Sequence, residues 1–125
     1  MPTGTTGSIV VNWTGTNVGE IQIAVYALYN CGLTPTNTGT TPDSTVAPGS
    51  MVVTATVPAS GFGIAVFAGD RSLSATFSNG TLDFTQTGPA SNTIFAVHTA
   101  TSGVQTPTSS SIITNYNAVM ACWGP

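Results

Sequence analysis

There is no lysine in this chain of 125 residues, and Arg71 is its one fixed positive charge. Acids are almost as sparse: Glu20, Asp43, Asp70 and Asp83 bring the formal net charge to -3. Charged side chains are 4% of the total, whereas a soluble domain carries about 25%. Without a cluster of Lys and Arg the chain cannot displace the counterions of a nucleic acid, nor be drawn to anionic lipid headgroups. No run approaches the ~18–20 apolar residues of a membrane span. The opening MPTGTTGS lacks the basic and then apolar order of a signal peptide, so export by that route is not expected.

Cysteine is scarce too. Cys31 in ALYNCG and Cys122 in VMACWG are the only two. One reading is a disulfide across a long loop, worth about 4–5 kcal/mol in the chain-entropy model. The other is a pair of reduced, buried thiols. The Cα separation that decides between them is not legible in sequence.

Thr, Ser, Asn and Gly stand where charges usually sit. Such a surface lacks the repulsion that keeps copies apart. It suits a subunit of a fixed assembly better than a free monomer.

The helix formers Glu, Lys and Arg are nearly absent while Thr and Val abound, and apolar alternation recurs, which is the signal of strands. SIVVNWT aligns Ile9, Val11 and Trp13, and EIQIAVYALY aligns Ile21, Ile23, Val25, Ala27 and Tyr29 as a core row. SMVVTATV aligns Met51, Val53, Ala55 and Val57, and FGIAVFA aligns Phe62, Ile64, Val66 and Ala68. LSATF and TLDF flank Asn79-Gly80, a strong hairpin signal because both residues tolerate positive φ. TIFAVHT and SIITNYNAVMACW complete the set, and TPTNTGTTPDSTVAPGS reads as the longest loop, with SGVQTPTSS a shorter one. About eight short strands with Gly/Pro/Asn/Ser turns predict an antiparallel β-sandwich, jelly-roll or Greek-key in kind. Residues 1–7 read as a short arm and 8–125 as a single domain.

Several strands are apolar on both faces. Ala24, Tyr26 and Leu28 oppose the row of the second strand, and Ala65 and Phe67 that of FGIAVFA. In the last strand Ala118, Met120 and Cys122 oppose Val119, Ala121 and Trp123. A second apolar face needs a second cover, supplied by loops or by a neighbouring subunit. The neighbour is the expectation here, with Tyr26, Leu28, Phe67, Val119 and Trp123 as its contact residues.

Catalytic chemistry has little to work with. His98 is the only histidine, no G-x-S-x-G occurs, and neither cysteine has catalytic context. Asp70 and Asp83 would meet across the Asn79-Gly80 hairpin. That pair offers oxygen ligands for Ca²⁺, without the usual Asp-rich loop, or the carboxylates of a hydrolase if His98 stands nearby. The glycines around Phe62 have the wrong spacing for a phosphate loop. Asn12-Trp13-Thr14 and Asn79-Gly80-Thr81 match the glycosylation pattern, as chance allows in a chain this rich in Thr and Asn. No catalytic residue, metal ligand or cofactor is expected. Trp13, Trp123, Tyr26, Tyr29 and Tyr116 serve either as core and interface anchors or as a sugar-stacking platform.

The strings GSIVVNWTG, AVYALY ahead of TPTNTGTTPDS, VPASGFGIAVFA and NAVMACWGP resemble small Thr/Gly-rich β-sandwich modules of tailed-bacteriophage virions and of prophages. The resemblance runs over most of the chain. It implies a head decoration (cement) protein or a fibre or spike module, with no catalytic residues, made in the host cytoplasm and placed on the particle surface. The short MPTGTTG departs from the long N-terminal arm of many decoration proteins. The first expectation is therefore a decoration protein that contacts its own copies and the major capsid protein. The second is a fibre, spike or adhesin module that binds host-surface glycans.

Overall fold

The structure, a computed structural model, describes residues 10, 12, 14, 22–44, 50–70, 75–89, 92–110 and 114–125. The strand expected around Ile9, Val11 and Trp13 lies outside them, as do the arm at 1–7, Glu20, Ile21 and Arg71.

Among the described residues every regular element is a strand. In chain order these are β1 (Asn37–Ser44), β2 (Ser50–Val52), β3 (Ala55–Val57), β4 (Phe62–Asp70) and β5 (Thr76–Ser78). β6 (Thr81–Thr87), β7 (Asn92–Thr99), β8 (Gly103–Gln105), β9 (Thr108–Ser110) and β10 (Thr114–Trp123) follow. One layer is a five-stranded sheet in the order β1-β10-β4-β7-β6. The other combines β2-β9-β5 with the pair β3-β8. All pairings are antiparallel. The two parts of the second layer are one ladder with a break, crossed by Val53 N donating to Pro107 O at 3.3 Å. Pro107 has no N–H to return, which interrupts the pairing there.

The layers close on one core. Met51, Val53, Ala55 and Val57 come from the second layer and meet Ala65, Phe67, Phe95, Val97, Ala118, Met120 and Cys122 of the first. Phe77 of β5 wedges its ring against Phe67 and Phe95, with centroids 5.1 and 5.5 Å away. Tilted pairs at such distances suit the aromatic quadrupole. This is the predicted all-β sandwich. The row expected of SMVVTATV is the one buried.

Four local expectations are corrected. In β4 the buried row is Gly63, Ala65, Phe67 and Gly69, while Phe62, Ile64, Val66 and Ala68 stand on the outer face. The core between the layers has room for Phe67 only because small residues flank it.

Residues 22–30 alternate as expected but pair with no strand. Their half-buried residues include Ala24, Tyr26 and Leu28, and Ile23, Val25, Ala27 and Tyr29 face outward.

Asn79-Gly80 does not close a hairpin. β5 pairs with β9 and β6 with β7, so the turn carries the chain from one layer to the other. Asn79 does take the expected left-handed conformation, φ 58°.

Finally, both Thr/Pro loops contain strands. Residues 37–44 form edge strand β1, which shifts register after Thr41, around Pro42. The edge is where a proline's missing donor is tolerated. β1 crosses so near the second layer that a Cβ on Gly39 would run into the Thr54 carbonyl. Thr41 Oγ1 donates to Val52 O, and Thr56 N to Asn37 Oδ1 at 2.8 Å. SGVQTPTSS contributes β8 and β9.

Candidate functional site

The outer face of the five-stranded sheet is built row by row from the register. One row runs Thr81, His98, Ile64, Ala121, Thr38, and the next Phe84, Ala96, Val66, Val119, Thr40. The face divides into two halves.

Over β6 and β7 the face is covered. Ala96 is fully buried and Ile94 nearly so, although both point away from the core. Segment 22–30 is fastened to this half at two points. Gln22 Nε2 donates to Asn92 O at 2.9 Å, and the Tyr26 hydroxyl donates to Asp83 Oδ2 at 2.6 Å.

The second fastening is a three-residue cluster. β6 shifts register between Leu82 and Phe84. A bulge of this kind re-aims a side chain, and here Asp83 reaches the face that carries His98. Asp83 Oδ1 lies 2.6 Å from His98 Nδ1. The carboxylate thus accepts from the imidazole on one oxygen and from the phenol on the other. Burial, with the hydrogen bond to Asp83 and its charge adding to it, pushes the Tyr26 hydroxyl well above the ordinary tyrosine pKa. The neutral phenol is the form that can donate.

Over β4, β10 and β1 the face is open among the described residues. Val119 is 51% exposed. It shares an apolar hollow of about 340 Å³ with Ile64, Val66, Ala121 and Trp123. The Trp123 ring stacks on Phe62, with centroids 5.6 Å apart and planes 18° from parallel. Beyond Trp123, a second hollow is lined by Leu28, Tyr29, Cys31 and Leu33, where segment 22–30 leaves the sheet. Gly32 N donating to Gly124 O at 2.9 Å holds that exit. The outward row Ile23, Val25 and Tyr29 adds further exposed apolar surface.

Of the expected contact residues, Val119 and Trp123 share the open hollow, and Leu28 lines the neighbouring one with Trp123. Tyr26 sits apart, half-buried and engaged with Asp83. Phe67 is fully buried between the layers and is removed from the contact set. The sequence reading missed Ile64 and Val66 as outer residues by assigning them to the core.

The cysteines are both free. Cys122 points into the core, whereas Cys31 lines the hollow beside Trp123, whose side chain leaves the opposite face of β10. Burial raises the Cys122 thiol above its usual pKa.

The acid pair is also corrected. The register sets Asp70 beside Asn92, at one end of β7. Asp83 falls opposite Ala96 and Val97, roughly 13–16 Å along the strand at ~3.3 Å per residue. That exceeds the carboxylate spacing of glycosidases, about 9.5 Å at most. Asp83 does meet His98. A signal for that contact existed: centring a hairpin on TGPASN brings Asp83 within two residues of His98. Among the described residues no three His, Cys, Asp or Glu side chains converge as a metal site would require.

The chain matches no protein-family model, no curated protein and no solved structure.

Proposed function

We propose that this protein is a structural subunit of a tailed-phage virion, a head decoration protein that stabilises the capsid through contacts among its own copies and with the capsid surface. One observation carries this reading: among the described residues, half of the outer sheet face is an uncovered apolar surface on a chain almost without charge. Val119 at 51% exposure on that half, with Val25 at 61% and Tyr29 at 69% on the outward row of segment 22–30, are residues that a solitary domain gains by covering. Little charge repulsion opposes association through that face. A contact of modest area, repeated by symmetry over a shell, sums to a large stabilisation. In this reading the Tyr26–Asp83–His98 cluster is a clamp that fixes segment 22–30, and the protein is not an enzyme.

The test is light-scattering mass and binding to phage heads that lack the protein, for the wild type and a Val25→Glu/Val119→Glu variant. Both positions are exposed, so folding is retained. Expected are association and head binding by the wild type, both lost in the variant. A wild type that is monomeric at all salt concentrations and binds no heads defeats the proposal.

A further inference from the structure

A polar hollow of about 470 Å³ lies at one end of the sandwich, where the β5–β6 corner, the end of β7 and the start of β8 meet. Its lining residues Thr81 and His98 continue one row of the outer face beyond Ile64, and the assembly reading uses only the Asp83 side of His98. Asn79, Thr81, His98, Thr101 and Gln105 line it, with no Lys, Arg, Asp or Glu in the lining. Asp83, behind His98, is already engaged by the imidazole and by Tyr26, so a charged ligand would find no free counter-charge there. An uncharged ligand rich in hydroxyls would find carboxamides, hydroxyls and an imidazole, groups that both accept and donate.

Three of these side chains are held before any ligand arrives. Asn79 Nδ2 donates to Thr106 O at 3.4 Å, and Gln105 Nε2 to Ser102 O at 3.3 Å. Each carboxamide is thereby tethered by its nitrogen, and its carbonyl oxygen is left as an acceptor. His98 Nδ1 is committed to Asp83, itself held by Tyr26, which leaves Nε2 as the ring's other polar atom. Preset rotamers lower the ordering cost of binding. The volume lies within the range of small-molecule sites.

We infer that this hollow is a saccharide-binding site that recognises a neutral sugar ring by hydrogen bonds through Asn79, Thr81, His98, Thr101 and Gln105. No aromatic ring lines it, so a single site binds weakly, and useful avidity requires many copies.

His98 is the only histidine, so its imidazole resonances are unambiguous in NMR spectra. The experiment titrates the full chain with D-glucose, D-galactose, D-mannose and N-acetyl-D-glucosamine to about 100 mM, a range that reaches millimolar affinities. Sodium acetate is the charged arm. Expected is a saturable shift of the His98 resonances with at least one sugar and none with acetate. Gln105→Ala and Thr101→Val should each weaken that sugar about fivefold, the worth of one hydrogen bond. Thr101 is exposed and outside any strand, so its variant stays informative if the Gln105 change unfolds the protein. No saturable shift with any of the four sugars, an equal response to acetate, or undiminished binding by the Thr101 variant overturns the inference. Each of those results leaves the association and head-binding test unaffected.

Discussion

Phe67 and Val119 sit on neighbouring strands, one residue out of register, and face opposite sides of the same sheet. Their surroundings set their energetics apart. Phe67→Ala empties a core site and should cost about 3–5 kcal/mol in urea denaturation. Val119→Ala removes a half-exposed side chain and should cost under about 1 kcal/mol in the same measurement. Tyr26 gives a pH signature. Its hydroxyl holds its proton in the folded chain past pH 10, the ordinary tyrosine value. Folding therefore gains stability that is fully present below pH 10 and is lost as pH rises through the folded value. In a tyrosinate absorbance titration, Tyr26→Phe should remove a late-titrating component, and its stability should fall less steeply above pH 10 than that of the wild type. The cysteines differ in reach: a thiol reagent should label Cys31 in the native protein and Cys122 only on unfolding. A mass unchanged by reductant would agree with two free thiols.

At the scale of elements, periodicity revealed where strands lie better than which way they face. SMVVTATV has polar Thr54 and Thr56 against its apolar row, so alternation identifies the buried side. FGIAVFAG is apolar on both sides, and bulk points the wrong way: Ile64 and Val66 look like core, yet the space between the layers admits Gly63 and Ala65. Segment 22–30 shows the same limit, because alternation in sequence does not supply a ladder partner. The Asn79-Gly80 dipeptide encodes its backbone conformation locally, but the partners of β5 and β6 are decided by distant strands. Its role as a corner makes it sensitive, since a Cβ on Gly80 would run into Val97 Cγ1. Gly80→Ala should cost about 1–3 kcal/mol by overpacking, measurable as a lowered urea midpoint with an unchanged slope. Of the site, Val119 and Trp123 were legible because they end a strand apolar on both faces. The Asp83–His98 contact was not read, because it depends on a bulge and on the β6–β7 register.

For the whole molecule, topology dominates. β6 and β7 are the only consecutive strands paired with each other among those described. Thr36, just ahead of β1, bonds to Cys122 O across 86 positions. Pairings this distant place folding in the millisecond-to-second range typical of all-β domains. Stopped-flow refolding followed by tryptophan fluorescence should show it, and a microsecond phase carrying the full amplitude would contradict the topology. At this scale the near-absence of charge leaves the open apolar half of the described sheet with little electrostatic opposition to contact.

The position of β10 bears on how the protein is made. Of the described strands it is the last to be synthesised, yet it lies inside the large sheet, hydrogen-bonded to β1 on one side and β4 on the other. Until residues 114–123 emerge, those two strands present facing, unpaired edges, and the row Ala65–Phe67 lacks its neighbours Ala118 and Met120. Unpaired edges recruit other chains. On a polysome, where nascent copies are held close together, the interval before β10 docks is therefore when chaperone protection counts most.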